Sequence, residues 1–322
     1  MKPVPAGRAR PRRDPNRAAP AGAGAGRRWR GGQGRMAFWL LLPAAAVVFG
    51  VIVYPMIRTA VMSVTDVQSA MQTQAGFVGL DNYAKAMESP TFWASVWRTL
   101  YFTVASTALE LVLGLGLAGL LNAPIRGRWL LRTIAVIPWA IPTVVAGALW
   151  KGIFNAQYGS LNALLEQTGL IDHYQVWLGS PFLAMNMVIL ADVWKTMPMV
   201  AFMLLAGLTS IPSELYEVAR LDRAGPIRQL FSITLPLLLP SISIVLVLRV
   251  IEAFKVFDII YAMTRGGPAD GTKTIAYFTY TTAFSDQRFG VGSALSYLIV
   301  FAIMMLSAIY LRALRRSEMS LL

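Results

Sequence analysis

The sequence predicts an all-α membrane protein with six transmembrane helices and both termini in the cytoplasm. Three observations predict this fold class. Of the 322 residues, 56% are hydrophobic and only 14% are charged, whereas soluble domains average about 25% charged residues. Six windows are apolar over the roughly 20 residues that a helix needs to cross a bilayer. The basic residues between these windows also fall on alternate connections.

The six apolar windows are rich in aliphatic and aromatic residues and poor in charges. They cover residues 36–58, 99–121, 130–153, 183–208, 236–260 and 291–314. Two windows contain prolines four residues apart, namely Pro138 and Pro142 in the third and Pro236 and Pro240 in the fifth. Proline lacks an amide hydrogen and its ring clashes with the preceding turn, so we expect kinks at both places.

Lysines and arginines predict the orientation of the helices, because cytoplasmic connections are enriched in them. They are concentrated in the N-terminal tail, the connection between windows two and three, the connection between windows four and five, and the C-terminus: Arg126, Arg128, Arg220, Arg223, Arg228, Arg312, Arg315 and Arg316. The remaining connections, 61–98, 154–182 and 261–290, are longer and nearly balanced in charge. We therefore place these three outside the cell.

Three regions are predicted: a tail over residues 1–35, a transmembrane domain over 36–316 and a short C-terminal tail over 317–322. The N-terminal tail carries ten lysines and arginines against one aspartate and is rich in proline, glycine and alanine. With so little to bury, it is expected to be disordered. A nucleic-acid-binding arm or a cleaved signal peptide is less favoured than a cytoplasmic flank that contacts anionic lipid.

Composition also restricts the chemistry. The chain has no cysteine and one histidine, His173, which disfavours a metal site and most nucleophilic mechanisms. It has no G-x-x-x-x-G-K-[ST] segment, and no connection is long enough for a catalytic domain. We therefore expect a protein that is not an enzyme, binds no cofactor or metal, and has no nucleic acid partner.

A polar segment, residues 211–235, interrupts the apolar sequence on the cytoplasmic side. Ser213 is a suitable N-cap, Glu214 follows in the first turn, and Arg220 lies at the far end, as the helix dipole favours. Gly225 and Pro226 can end one helix and begin another. The segment is thus predicted to form two short helices at the membrane surface. They could lie there without a partner or dock on another protein.

At this segment the sequence resembles the cytoplasmic EAA loop of ABC-importer permeases. The resemblance rests on Glu217-Val218-Ala219, Asp222 and Ala224, followed by Phe231, Ile233, Leu235-Pro236 and Pro240. FVGLDNYAKAM (77–87), DVWKTMPMVAFMLLAGLTSIPSELYE (192–217) and FKVFDIIYAMTRGGPADGTKT (254–274) resemble other segments of carbohydrate-type permeases, in the same order. The family resemblance implies a type I ABC-importer permease fold.

Two positions depart from the family pattern. Val218 stands where alanine is usual, and Arg223 stands where glycine is usual. That glycine would serve a turn with positive φ, which arginine tolerates poorly. Gly225 lies two residues further on and could take over the turn, in which case the first helix would run slightly longer.

The resemblance implies a subunit that forms half of a heterodimeric pore in a bacterial or archaeal cytoplasmic membrane. Its partners would be a second permease, two ATPase subunits that use ATP and Mg²⁺, and an extracellular or periplasmic binding protein that delivers a di- or oligosaccharide such as trehalose or maltose. Glu217 would pair with a basic residue of the ATPase. The other ATPase-coupling residues would be Val218, Ala219, Asp222, Arg223, Ala224 and Gly225.

Charged and polar residues inside the apolar windows are candidates for the sugar path, because they are costly in a membrane and usually face a cavity or a partner. The intramembrane candidates are Glu110, Asn186, Asp192, Lys195, Arg249, Glu252, Lys255 and Asp258. The aromatic companions proposed for the same path are Trp194, Phe254, Phe257 and Tyr261. Arg249, Glu252, Lys255 and Asp258 recur at helical spacing, which fits a polar stripe and internal salt bridges equally well. Asp192 could also pair with Lys195.

One alternative function stays open from the residues alone. A secondary active transporter for a small polar solute would also be apolar and polytopic, but it would usually show inverted repeats and broken helices at mid-membrane. No repeat is evident in the sequence.

Overall fold

The computed structural model describes residues 31–68 and 75–319, and within them the regular secondary structure is helical apart from one β-bridge between Thr65 and Phe77. The α-helices in chain order are α1 Gly31–Val47, α2 Tyr54–Ser63, α3 Asp81–Glu88, α4 Pro90–Asn122, α5 Arg128–Ala140, α6 Thr143–Ile153, α7 Ser160–Gln167, α8 Pro181–Thr209, α9 Ser213–Leu221, α10 Pro226–Gln229, α11 Leu235–Phe254, α12 Asp258–Met263, α13 Ile275–Tyr280 and α14 Phe289–Met319. Three π-helical turns join some of them, at Val48–Val53, Leu230–Thr234 and Thr281–Ser285.

Five helical segments of the described chain are long and apolar enough to cross a membrane. They are Met36–Ser63, Pro90–Asn122, Pro181–Thr209, Pro226–Phe254 and Phe289–Tyr310. These correspond to the first, second, fourth, fifth and sixth windows of the sequence, so the all-α membrane class is confirmed. The third window is a pair of helices, α5 and α6, bent by 92°.

The chain divides into two compact units, residues 1–56 and 57–322. In the first unit, residues 31–56 form α1, a π-helical turn and the start of α2. The predicted disordered tail lies outside the described residues up to residue 30, and residues 31–35 already belong to α1. The second unit contains α3 to α14. Of the predicted C-terminal tail, residues 317–319 continue α14 and the last three lie outside the described residues.

Helices α4 and α8 form the centre of the second unit and run parallel to each other. Three pairings along their length show the direction: Tyr101 donates a hydrogen bond to Asn186, Thr196 donates to Glu110, and Gly114 packs on Val200. A side chain at Gly114 would collide with Val200, so glycine permits this close approach.

Helix α11 runs antiparallel to α8. Arg249 of α11 lies beside Asp192, in the first half of α8, and Ser241 packs against Gly207, near the end of α8. The hydroxyl of Tyr310 in α14 donates to the backbone carbonyl of Ser243 in α11. These contacts tie α11 to α8 and α14 to α11.

The break in the third window confirms the kink predicted from Pro138 and Pro142. Helix α5 ends at Ala140, Ile141 is extended with φ −71° and ψ 132°, and Pro142 precedes α6. Proline disfavours helical geometry in the residue before it, which explains why the helix ends there.

The fifth window differs from the sequence prediction at both ends. The helix is already formed at Pro226 and carries a π-helical turn at Leu230–Thr234, which ends two residues before Pro236. Proline has no amide hydrogen to donate to the carbonyl four residues earlier, so the adjacent turn widens while the helix continues through Pro240. The helix ends at Phe254, not at residue 260. The prediction that Asp258 continues its polar row was therefore wrong, because Asp258 begins α12.

Candidate coupling surface and polar cleft

The polar segment forms the two short helices predicted for it, α9 and α10. Glu214 lies in the first turn of α9 and Arg220 in its last turn, which suits the helix dipole. The predicted N-cap was wrong: Ser213 is the first helical residue, Pro212 precedes it, and no side chain caps the helix start. Pro226 opens α10, as expected for a residue with a fixed φ and no amide hydrogen.

Arg223 itself adopts the left-handed conformation that ends α9, with φ 56°. The amide of Ala224 donates to Ala219 at 2.8 Å, and the amide of Arg223 donates to Arg220 at 3.0 Å. This pair of bonds is the Schellman arrangement, in which the left-handed residue is usually glycine. Gly225 has φ −68° and is extended, so the idea that it takes over the turn was wrong.

The surface of α9 and α10 presents apolar and acidic side chains to solvent. Val218 and Leu221 are 58% and 84% exposed, and Ile227 of α10 is also exposed. Glu217 is exposed and makes no hydrogen bond or ion pair within the residues that the structure describes. We refer to residues 213–229 as the coupling surface.

Side-chain hydrogen bonds hold α9 and the turn after it to the first part of the fifth span, Pro226–Phe254. The hydroxyls of Tyr216 and Thr234 lie 3.0 Å apart. The amide nitrogen of the Gln229 side chain donates to the carbonyl of Ala224 at 2.7 Å. Since Thr234 is buried at the base of the span, a displacement of α9 would be transmitted to that span.

A buried ionic network joins α4, α8 and α11. Nε of Arg249 donates to Glu110 Oε2 at 2.5 Å and its Nη2 to Oε1 at 2.7 Å, a bidentate pair. Nη1 donates to Glu252 at 2.9 Å, and Nη2 lies 3.4 Å from Asp192. Glu110 is 0% exposed and Arg249 3%. Within the described chain the predicted Asp192–Lys195 ion pair does not form; Asp192 pairs with Arg249.

The network borders a cleft of about 540 Å³ between α5, α8, α11 and α12. Its charged lining comes from α8 and from both sides of the break after Phe254: Asp192 and Lys195 on α8, Arg249 and Glu252 before the break, and Lys255 and Asp258 after it. Lys195, Lys255 and Asp258 make no hydrogen bond or close ion pair with any described residue. Phe257 adds an aromatic ring, and Tyr261 stacks on that ring with centroids 5.6 Å apart. The cleft thus offers free donors, a free carboxylate and an aromatic face.

The structure brings seven of the twelve predicted sugar-path residues into this cleft and places five outside its lining. Glu110 lies behind the cleft and is bound to Arg249. Asn186 hydrogen-bonds to Tyr101, and Trp194 packs edge-on against Trp150. Phe254 is buried in a core cluster with Phe92 and Leu295. Tyr261 reaches the cleft only through Phe257.

Sequence reasoning missed seven uncharged residues of the cleft lining, namely Trp139, Thr143, Thr196, Met199, Ala253, Val256 and Ile259. Two of them flank the break between α5 and α6, so the proline pair that predicted the break was also the available signal for them. Thr196 follows one residue after Lys195, but nothing in the sequence links it to Glu110, to which it donates a 2.6 Å hydrogen bond.

The family assignment follows from comparison with known proteins. Residues 110–319 match the family described as binding-protein-dependent transport system inner membrane component. The chain belongs to that family. Its members are ABC-transporter permease subunits, which are not enzymes themselves and work with a second permease, ATPase subunits and a binding protein. This permease is therefore a multi-pass protein of the cytoplasmic membrane.

Relatives confirm the resemblance to carbohydrate-uptake permeases. This permease is 39% identical to the sulfoquinovosyl glycerol transport system permease protein SmoG of Agrobacterium fabrum, over 88% of this chain and 91% of the relative. It is 38% identical to the trehalose/maltose transport system permease protein MalF of Thermococcus litoralis, over 87% and 94%. The trehalose transport system permease protein SugA of Mycobacterium tuberculosis is 32% identical, over 86% and 88%.

The fold is also that of solved ABC importers. A chain from a bacterial ABC transporter involved in the import of the acidic polysaccharide alginate superposes with a TM-score of 0.74. The match covers 88% of this chain and 96% of that chain, at 22% identity. The type I importer architecture suggested by the EAA-like segment is thus supported by a match over 88% of the chain and not by one loop.

Proposed function

We propose that this permease is half of the translocation pore of an ATP-driven sugar importer, coupled to its ATPase through the coupling surface. The observation that carries this proposal is the form of residues 213–229: exposed apolar and acidic side chains on short helices that are hydrogen-bonded to the base of the fifth span. ATP and Mg²⁺ are used by the partner ATPase subunits, and closure of those subunits moves α9 as a rigid lever.

Glu217 is the residue on which docking depends most. Its carboxylate is exposed and unpaired within the described chain, and Val218 beside it exposes an apolar side chain. A basic residue of the ATPase would pair with Glu217 while a groove covers the apolar face. Val218, Ala219, Asp222, Arg223, Ala224 and Gly225 complete the proposed contact.

The substrate is a di- or oligosaccharide, such as trehalose or maltose, that passes through the cleft. Several relatives are named as permeases for sugars, and the sugars differ among them. The cleft supports a polyhydroxylated ligand, because Lys195 and Lys255 can donate to sugar hydroxyls and Asp258 can accept from them. Phe257 offers an apolar platform for a sugar ring. Arg249 and Glu252 frame the site, and Asp192 lies behind them.

Six membrane crossings with both termini in the cytoplasm complete the proposal. The parallel direction of α4 and α8 supports it: the chain leaves α4 at Asn122 and must return to the opposite end of the bundle to begin α8 at Pro181. The only segment between them in the described chain that is long enough is the bent pair α5 and α6. We therefore count this pair as the third crossing.

Charge reversal at Glu217 tests the coupling role. In proteoliposomes that contain the complete transporter, Glu217→Lys should lower both sugar uptake and sugar-stimulated ATP hydrolysis by tenfold or more, because two like charges would face each other at the interface. Sugars are supplied with the cognate binding protein, and trehalose and maltose are the first probes. Assembly of the complex is checked by co-purification at low salt.

Glu166→Lys is the matched control, since Glu166 is an exposed acid on α7. It should leave uptake and hydrolysis unchanged. Unchanged uptake by the Glu217→Lys transporter would contradict the coupling role. Uptake of sugar by this permease without any ATPase would support the alternative, a secondary transporter.

Variants of the cleft test the sugar path separately. Lys195→Met and Asp258→Asn each remove hydrogen-bonding capacity of a charged group, a loss of about 1.5–3 kcal/mol that corresponds to tenfold or more. The binding protein captures the sugar first, so we expect a lower maximal rate of uptake, with ATP hydrolysis still stimulated.

Asp172→Asn, at an exposed loop position, is the control for the cleft variants and should transport normally. A normal uptake rate in both cleft variants would remove the cleft from the sugar path. Loss of ATP hydrolysis together with uptake would instead place Lys195 or Asp258 in coupling.

A further inference from the structure

We propose that a second pocket, centred on Arg98, binds the phosphate of an anionic phospholipid headgroup. The pocket is separate from the sugar cleft and lies where α4 and α8 begin. Its volume is about 380 Å³, and its lining includes Trp97, Arg98, Tyr101, Phe182, Met185 and Gly271. Because α4 and α8 are parallel, this end of the bundle is opposite to the end from which α9 emerges.

Arg98 is a cation without a partner. Its guanidinium makes no hydrogen bond and no ion pair with any residue in 31–68 or 75–319, and its Nη1 is inaccessible to solvent. A buried guanidinium nitrogen without an acceptor is costly, and the cost is relieved when an oxyanion is bound. Arginine also matches phosphate geometry, because its planar fork donates two parallel hydrogen bonds.

The surroundings of Arg98 place it at the lipid–water boundary. The exposed face of α4 reads Trp93, Trp97, Leu100 and Val104, at helical spacing. Leu100 and Val104 continue into the apolar stretch of a helix long enough to span a membrane, and tryptophans are enriched at the level of the headgroups. Trp97 is 72% exposed, and so is Phe182 at the start of α8. An acyl chain can therefore follow the apolar stripe while its phosphate reaches Arg98.

The uncharged side of the pocket explains why a headgroup fits better than a peptide carboxylate. Tyr101 is engaged with Asn186, with 2.8 Å between the hydroxyl and Oδ1, so it contributes its ring and not a free hydroxyl. Pro181 and Gly271 close the far side, and a Cβ at Gly271 would collide with Pro181. The occupant thus meets one cation and several apolar surfaces. These complement the anionic phosphate and the apolar acyl chains of a phospholipid.

Lipid binding to the purified complete transporter tests this proposal. Short-chain phosphatidylglycerol is titrated into the detergent-solubilised complex, and bound lipid is counted by native mass spectrometry. We expect Arg98→Gln to weaken binding of one phosphatidylglycerol about tenfold, and Arg98→Lys, which keeps the charge but not the fork, to weaken it less. Arg128→Gln, at an exposed arginine that begins α5, should bind as the unaltered protein does.

Three results would overturn the proposal. Equal lipid retention by Arg98→Gln and the unaltered transporter would show that Arg98 does not hold the headgroup. Displacement of the lipid by millimolar inorganic phosphate would identify a site for a free anion. Unaltered lipid binding together with weaker binding of the binding protein would assign Arg98 to that partner. Sugar uptake is measured in parallel and is not the criterion.

Discussion

Arg249 shows how a charged residue is accommodated inside the bundle. Its guanidinium donates twice to Glu110 and once to Glu252, with Asp192 close by. Removal of one partner from such a buried pair typically costs about 3–5 kcal/mol, because an uncompensated charge is left behind. Glu110 and Arg249 therefore act together as a fixed cross-link, whereas Glu252, whose side chain is 47% exposed, is accessible from the cleft.

Arg223 gives a residue-scale prediction about stability. An L-residue in the left-handed region costs about 1–2 kcal/mol, and glycine largely avoids this cost but loses more backbone entropy on folding. We expect Arg223→Gly to stabilise the end of α9 by a net 0.5–1 kcal/mol, or about two- to five-fold slower amide hydrogen exchange there.

Gly225→Ala is the control for that prediction. Gly225 has a negative φ, and a Cβ placed there meets no atom within 4 Å. Alanine should therefore be tolerated without faster exchange. Faster exchange in Gly225→Ala, or no gain in Arg223→Gly, would mean that Arg223 does not carry the turn.

At the scale of helices, hydropathy predicted the spans and proline predicted a break, because both act through residues that are close in sequence. Five of the six windows correspond to helices of spanning length, and Pro138 and Pro142 predicted the break in the third. The end of the fifth helix at Phe254 was not predicted, because the residues that follow are as apolar and as helix-compatible as those before. Packing of α12 against α6, with Ala262 close to Gly147, accompanies the early end.

In the candidate site too, some features were predictable from the sequence and others were not. The polar residues of the windows could be listed from composition and spacing, but their partners could not. Arg249 and Glu110 are 139 residues apart, and only the packing of α4 against α11 brings them together. Asp192 was expected to pair along its own helix with Lys195, yet the arginine across the helix interface is nearer. Local spacing cannot rank a neighbour on another helix.

For the whole molecule, the parallel pair α4 and α8 restricts the topology more than hydropathy does. If only the five segments of spanning length crossed the membrane, α4 and α8 would be consecutive crossings and would run antiparallel. Because they are parallel, we propose one further crossing between them. The proposed topology therefore assigns this crossing to the bent pair α5 and α6, neither half of which is long enough to span alone. The break also brings Trp139 of α5 and Thr143 of α6 to the cleft. In an unbroken helix these two positions would be oriented differently relative to each other.

The absence of cysteine from the sequence makes this topology directly testable. Arg126→Cys and Glu166→Cys place single thiols at exposed positions on either side of the bent pair. In spheroplasts treated with a membrane-impermeant maleimide, we expect the thiol at position 166 to be labelled at once and the thiol at 126 only after permeabilisation. Both should react fully after denaturation, which controls for thiol reactivity. Labelling of both from the outside would mean that residues 128–153 form a re-entrant loop, and the parallel pair would then need a different connection.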